Sequence, residues 1–429
     1  METIREIYSH LFRKQWPAWV GGIAMGFIVV LMFVWGAPWA VTNGIIIWGD
    51  NILKPILYPD AEVQSPIWQF TALVNWAFLL GAFISALLGG DFRISIPSFK
   101  EFLMGAFGGT LMGIGAFLAF GCTIGAFLVG FAALSASGIT MMIGLGLGAY
   151  TGLRLYMWLL TKGWGTPGRA IDVPVNLQVL LGVILLVLTV GLIAFVDREV
   201  STYAPALGLG SVKVAAGSLI FFGVILGIIN QRTRFCFVRA FREPFMTGEG
   251  NMTRAAATAL IIAAVFGLIV KFSPIASIVE IPDVQDMLSI EMTAPPSIKA
   301  MMVAPSFPIG SLIGGFIFGI GMTLAGGCSV GSFWRAGEGS LKNMTAILFY
   351  ALGGSVFAFI YRKIEPSILK VFSGLYEKLG ATNATGKKLF LPRCPQVRSE
   401  ALVVFPSCSL LEIWFLFATW NERTMKFTL

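Results

Sequence analysis

Long hydrophobic runs dominate the chain of 429 residues, and short polar segments separate them. A membrane-spanning helix needs about 20 mainly apolar residues, and nine of the runs reach that length. We therefore predict nine transmembrane helices, at residues 18–40, 66–90, 101–120, 138–160, 175–196, 203–229, 252–272, 307–326 and 341–361. This pattern is typical of an all-α polytopic membrane protein.

Two further apolar segments, 122–136 and 328–337, are too short to cross a bilayer. Lipid offers no hydrogen-bond partner to a broken backbone, so such segments must be buried in protein or line a wet cavity. We predict that both are re-entrant half-helices.

An internal repeat links these two segments. Residues 113–125 (GIGAFLAFGCTIG) and 319–331 (GIGMTLAGGCSVG) are identical at eight of thirteen positions. Duplicated transporter folds place their ligand site near the bilayer midplane, at broken helices from both halves. If the spans alternate in direction, the two copies are inverted. We expect an N-terminal span with an external segment, a first repeat half, a second repeat half, and a linker with an unassigned tail, at 1–65, 66–200, 201–362 and 363–429.

Composition narrows the class of protein. Charged residues make up 12% and hydrophobic residues 56% of the chain, whereas about 25% of a soluble domain is charged. This excludes a soluble enzyme, a disordered protein and a nucleic-acid-binding protein.

Charge distribution predicts the orientation in the membrane. The basic segments 1–16, 161–174 and 231–254 are expected in the cytoplasm, and the acidic segments 41–65 and 273–305 outside. Nine alternating spans agree with this assignment except at the C-terminus, where they place a basic tail outside.

The repeat carries the candidate chemistry. Glycines beside each cysteine allow sharp turns and close approach, and a helix N-terminus favours an anion. Thiols are soft, weak donors, so this lining suits a sulfur-bearing anion better than a hard metal cation. Neither a metal site nor a cofactor is expected, because His10 is the sole histidine. The candidate substrate-binding residues here are Cys122, Cys328, Gly121, Gly327, Thr123 and Ser329.

The third candidate element is NQRTRFCFVRAFREPF, residues 230–245, which contains Arg234 and Cys236. Its arginines fit either cytoplasmic anchoring or an anion path. An apolar cysteine is most often a small hydrophobic residue, so the residues alone leave Cys236 open. Arg335 similarly fits either a local pair with Glu338 or the anion path.

These motifs resemble a known family. GCTIG, QRTRFCFVRAFREPF, FGIGMTLAGGCSVGSFWRAGEG and LLGAFISALLGGDFRI are similar to signatures of the YeeE/YedE sulfur-transport membrane proteins, over residues 66–362. The resemblance implies a multi-pass protein of the cell inner membrane that is not an enzyme and takes up thiosulfate. It also implies that Cys122, Cys236 and Cys328 pass the ion along by S–H···S hydrogen bonds, and that a small cytoplasmic TusA-like sulfur carrier is a partner.

Three alternatives stay open. Some YedE-type members are linked to selenium metabolism, so the substrate is either a sulfur or a selenium compound. A membrane thiol-redox or persulfide-handling enzyme would need a resolving cysteine close to the first. A structural or assembly subunit would need no polar thiols at the broken helices. The tail, 385–429, with Cys394 and Cys408, indicates no role.

Overall fold

The structure is a computed structural model in which helices predominate. It describes residues 6, 8–35, 39–57, 59, 63–133, 135–165, 168–199, 201–205, 211–272, 308–378, 411–425 and 428. Each of the nine predicted spans contains a helix, and seven helical stretches of the described chain are long and apolar enough to cross a membrane. The prediction of an all-α polytopic membrane protein is confirmed.

Fourteen α-helices are distinguished in the described residues. In chain order they are α1 (Ala18–Trp35), α2 (Val41–Leu57), α3 (Phe70–Gly89), α4 (Phe99–Leu118), α5 (Val129–Ala132), α6 (Ala136–Thr161), α7 (Val175–Glu199), α8 (Ala216–Thr233), α9 (Phe237–Met246), α10 (Asn251–Phe272), α11 (Pro308–Ala325), α12 (Ser329–Gly337), α13 (Leu341–Lys378) and α14 (411–424). A π-helical segment, Thr123–Leu128, leads directly into α5, and another covers Ser9–Arg13.

Two small antiparallel ribbons connect helices. Strand β1 (Arg93–Ile96) pairs with β2 (Arg169–Asp172), and β3 (Ser201–Pro205) pairs with β4 (Ser211–Ala215). The first ribbon joins the segment after α3 to the segment after α6.

Helices α4 and α11 end within the two copies of the repeat and run antiparallel in close contact. A Cβ on Gly108 would lie 2.6 Å from the Ala325 nitrogen, near the end of α11. A Cβ on Gly115 would lie 2.6 Å from the Gly314 oxygen, near its start. Small residues permit such close packing where lipid provides no hydrophobic drive for association. The two copies are therefore inverted, as the alternation of spans predicts.

The predicted span 203–229 is wrong at its N-terminal end. Helix α8 begins only at Ala216, and Ser201–Pro205 and Ser211–Ala215 before it are the strands β3 and β4. The sequence of this part contains Pro205, Gly208 and Gly210, which interrupt a helix and favour turns.

Two short helices were not predicted. Helix α2 lies in the segment expected to be external, and its Gly49 packs so closely on α13 that a Cβ would lie 2.2 Å from the Ala351 oxygen. Helix α9 follows Cys236 directly. Its apolar face, which carries the buried residues Val238 and Phe241, packs against α10 and α6.

Helix α14 makes the tail part of the fold. Trp414 stacks on Phe241 of α9 with ring centroids 4.7 Å apart, and Glu422 forms an ion pair with Arg254 near the start of α10. These contacts bring the end of the chain to the membrane face that carries the arginines of residues 232–254, called the basic face below. Cys394 and Cys408 lie outside the described residues.

Candidate functional site

Three turns of one construction hold the three cysteines that the structure describes. Each cysteine is completely buried and is the N-cap of a short helical segment. The residue two positions earlier always has a left-handed backbone, which lets the chain reverse sharply. In chain order these residues are Phe120 (φ 55°) before Cys122, Arg234 (φ 52°) before Cys236 and Gly326 (φ 80°) before Cys328.

The two repeat thiols have matching hydrogen bonds. The Cys122 Sγ accepts from the Ile124 amide at 3.4 Å, and the Cys328 Sγ accepts from the Gly331 amide at 3.4 Å. Because each sulfur uses a lone pair on its own helix, each S–H proton is left to donate elsewhere. Both thiols thus sit beside amide groups at a helix N-terminus, where a negative charge is favoured.

Glycines before these cysteines make the turns tight. A Cβ on Gly121 would lie 2.6 Å from the Ala126 nitrogen, and one on Gly327 would lie 2.8 Å from the Ser332 Oγ. No larger residue fits at either position without moving the short helix that follows. Both glycines therefore shape the turns, and their packing accounts for the sequence GC in both copies.

The third cysteine meets the second copy of the repeat. The Cys236 Sγ lies 3.7 Å from the Cys328 Sγ, so the two thiols are in direct contact. Gly331 closes the other side of this pair, because a Cβ there would lie 2.3 Å from the Cys236 Sγ. The sequence did not predict this contact. The glycine that ends both GCTIG and GCSVG, which is Gly331 in the second copy, was the available signal for it.

The residues after the repeat cysteines present buried hydroxyls. The Oγ1 of Thr123 and the Oγ of Ser329 have no hydrogen-bond partner among the described residues, and both side chains are at most 1% exposed. Leaving a buried polar atom unpaired typically costs about 1–3 kcal/mol. Such atoms in a native fold call for an explanation, and a ligand is one.

A cavity of about 760 Å³ lies at the basic face, where Arg234 of the Cys236 turn and Trp334 of α12 are among the residues that line it. Trp334, next to Arg335, donates its indole N–H at 3.0 Å to the oxygen of Phe235, next to Cys236. The charged residues that line the cavity are four arginines and three acids, namely Arg93, Arg234, Arg239, Arg335, Asp91, Asp172 and Glu338. The cavity is therefore weakly positive overall.

The two predicted arginines both lie on this cavity. Arg335 donates to the Gly326 oxygen, and its guanidinium lies 5.0 Å from the centre of the Trp334 ring. It forms no ion pair with Glu338, whose carboxylate accepts instead from Gln231 at 2.9 Å. Burial raises the pKa of Glu338, and that hydrogen bond opposes the rise.

Arg232 has a different position. It is 2% exposed and forms an ion pair with Asp91, while its guanidinium also donates to Ser85 and to the Phe12 oxygen. These contacts join α8 to α3 and to the N-terminal segment. Arg232 therefore links these three segments at the basic face and does not line the cavity.

Known proteins match most of the chain. A family model described as "Sulphur transport" matches residues 2–151 and 232–428, which include all three turns. The "Probable transporter YedE" of Salmonella typhimurium is 24% identical over 380 residues, 83% of this chain and 84% of that protein. The "Thiosulfate transporter TsuA" of Spirochaeta thermophila is 31% identical over 134 residues, 31% of this chain and 34% of that protein.

A second protein with that name gives a similar result. The "Thiosulfate transporter TsuA" of Escherichia coli is 32% identical over 137 residues, 31% of this chain and 32% of that protein. These relatives support a multi-pass transporter of a small sulfur-containing anion. Because the family model covers most of the chain, this protein belongs to the sulphur transport family.

Proposed function

We propose that this protein takes up thiosulfate across the cell inner membrane, through a path in which the ion meets Cys122, Cys328 and Cys236 in turn. The contact between the Cys236 and Cys328 thiols carries the proposal, because it continues the path from the repeat into the third turn. The names of the partly matching relatives support thiosulfate as the substrate.

The order of the thiols along the path follows from the packing of α4 and α11. These helices are antiparallel, so the turn after α4, with Cys122, lies towards the outer face. The turn after α11, with Cys328, lies towards the basic face, beside Cys236. The ion enters at the face opposite the arginines and leaves through the cavity they line.

Neutral thiols suit this task. An S–H group donates weakly to the terminal sulfur of thiosulfate, and the helix N-termini supply partial positive charge without a fixed cation. Conduction requires binding that is favourable enough for entry and weak enough for release. Several weak sites in series meet both requirements better than one buried arginine.

The cavity at the basic face is the proposed exit. Its four arginines attract an arriving anion, and its acids, Asp91, Asp172 and Glu338, keep the net charge low enough for release. Under the positive-inside rule this face is cytoplasmic. A TusA-like sulfur carrier would receive thiosulfate there.

Uptake of radioactive thiosulfate by cells lacking their own uptake system tests the proposal. Cys122→Ala, Cys236→Ala and Cys328→Ala should each lower the initial rate at least about tenfold, with normal amounts of protein in the membrane. Cys394→Ala and Cys408→Ala are matched controls and should leave the rate unchanged. Undiminished uptake in the first three variants would refute the relay, and added selenite that fails to compete would argue against a selenium substrate.

The thiol contact also favours one alternative, a thiol-redox enzyme, since two cysteines lie within reach of each other. A redox cycle predicts that a Cys236–Cys328 disulfide accumulates during turnover, which mass spectrometry of alkylated protein detects. A relay predicts that both thiols stay reduced while thiosulfate enters. Transporter relatives make the relay the preferred function.

A further inference from the structure

Tyr350 of α13 and Thr42 of α2 form a buried pair between the two repeat turns. Their hydroxyl oxygens are 2.8 Å apart, and the side chains are 1% and 2% exposed. One hydroxyl of such a pair donates and the other accepts, so the accepting group keeps a proton for a further bond. Neither residue belongs to the cysteine motifs.

The level of Tyr350 in the membrane is set by its contact with α4. A Cβ on Gly113 would lie 2.5 Å from the backbone carbonyl oxygen of Tyr350, whereas Gly108 contacts the end of α11 just before the Cys328 turn. Helix α4 continues from Gly113 to the Cys122 turn. Tyr350 therefore lies at a level between the two turns.

Two more hydroxyls lie on segments that contact α2 and α13, because the π-helix Thr123–Leu128 packs against α2 and α12 packs against α13. Thr123 and Ser329 each follow a repeat cysteine, and their oxygen atoms have no hydrogen-bond partner in the described part of the chain. Ser329 is also close enough to the Tyr350 hydroxyl to interact with it. The four side chains, called the hydroxyl cluster, are Thr42, Thr123, Ser329 and Tyr350.

We propose that the hydroxyl cluster binds the oxygen atoms of a tetrahedral oxyanion, while the thiols on either side contact its terminal sulfur. At least two hydroxyl protons are left for a ligand, one from Thr123 and one from the neighbouring Thr42, Tyr350 and Ser329 hydroxyls, even when each of these three bonds the next. Hydrogen bonds from neutral O–H donors to an ionised oxygen are short and strong. The cluster thus selects oxyanions over hydrosulfide, which has no oxygen.

This inference deepens the proposed function, because the cluster lies on the proposed path. Hydroxyls add affinity for the oxygen end of thiosulfate without a fixed positive charge that would trap it. Thr42 and Tyr350 are specificity-determining residues in this view, and α2 is part of the site through Thr42.

Tyr350→Phe tests the assignment with little risk to the fold, since the phenyl ring keeps its packing against Phe318 at 6.1 Å. We expect the KM for thiosulfate uptake to rise about tenfold, equivalent to about 1.4 kcal/mol, with an unchanged unfolding temperature. Inhibition of uptake by hydrosulfide should stay the same. Thr42→Val should act in the same direction, and Tyr150→Phe, an exposed tyrosine on α6, is the matched control.

The outcomes separate this inference from the proposed function. Wild-type uptake with an unchanged KM in Tyr350→Phe overturns the inference alone, and so does an equal loss of hydrosulfide inhibition. If the wild type takes up no thiosulfate, the proposed function fails. In that case, thermal stabilisation of the purified protein by thiosulfate, sulfate and selenate tests the hydroxyl cluster. Stabilisation that Tyr350→Phe abolishes supports oxyanion binding by the cluster. If none of the three anions stabilises the wild type, the inference is overturned.

Discussion

Gly331→Ala is the sharpest perturbation of the thiol pair. The new Cβ would lie 2.3 Å from the Cys236 Sγ and 3.5 Å from the Cys328 Sγ. Non-bonded heavy atoms are at their optimum about 3.5–4.0 Å apart, so the Cys236 side would have to move by more than about 1 Å. Overpacking of this kind costs about 1–3 kcal/mol. The backbone of Gly331 is helical, so alanine is unfavourable there only because of the contact.

The expected result is a loss of transport together with a modest loss of stability. Initial rates of thiosulfate uptake and thermal unfolding in detergent measure the two effects. Gly125→Ala is the repeat-equivalent variant and should be milder, because its nearest neighbour is the Ala40 Cβ at 3.2 Å. Gly191→Ala is the neutral control, since nothing lies within 4 Å of its added Cβ on the exposed face of α7.

A double variant separates the two effects. Replacing Cys236 by alanine in the Gly331→Ala background removes the clashing sulfur, so the unfolding temperature should recover while uptake stays low. Wild-type uptake and wild-type stability in Gly331→Ala alone would refute the close contact as a requirement of the path. Low stability in both the single and the double variant would show that the added methyl group acts elsewhere.

Three further outcomes are expected. Asp91→Asn should lower the free energy of unfolding by about 1–3 kcal/mol, because it leaves buried Arg232 without its ion-pair partner; an unchanged thermal unfolding curve would contradict this. The raised pKa of Glu338 means that its contribution to stability is present at low pH and is lost as the pH rises through the folded-state pKa, so Glu338→Gln should flatten the pH dependence of unfolding above about pH 4. Trp414→Ala should remove the stack on Phe241 and cost about 1–2 kcal/mol, with uptake falling as α9 loosens; normal stability would mean that α14 does not hold α9.

Hydrophobicity predicted the long helices because a long apolar segment lies in lipid and must form all its backbone hydrogen bonds internally, as a helix does. It did not predict α2, whose Asp50, Asn51, Lys54 and Pro55 are typical of a loop. The helix is stable because its small residues pack on α13 and α3, which is a tertiary effect. The tail could not be assigned for the same reason, because the contact that holds it, the stack of Trp414 on Phe241, is also a tertiary effect.

The site was predictable where the sequence repeats itself. Cys122 and Cys328 stand out because two copies of a motif share them, and the structure places both at equivalent helix starts. No repeat marks Cys236, so its contact with Cys328 depends on how α9 and α12 meet. Tyr350 lies inside an apolar run that resembles any other span, so no sequence pattern identifies it as a candidate site residue.

A left-handed residue two positions before each cysteine gives the three turns a common construction. Two of the three positions hold a residue with a side chain, Phe120 and Arg234, although only Gly326 adopts this backbone without strain. A left-handed conformation costs a non-glycine residue about 1–2 kcal/mol. Strain of this kind persists where the surrounding structure enforces it, and it is concentrated at binding sites. The turn at Cys236 repeats the geometry of the two GC turns although its sequence, TRFC, is unlike theirs. Packing of the surrounding helices therefore imposes the turn, and what the three turns share is the placement of a thiol at the start of a buried helix.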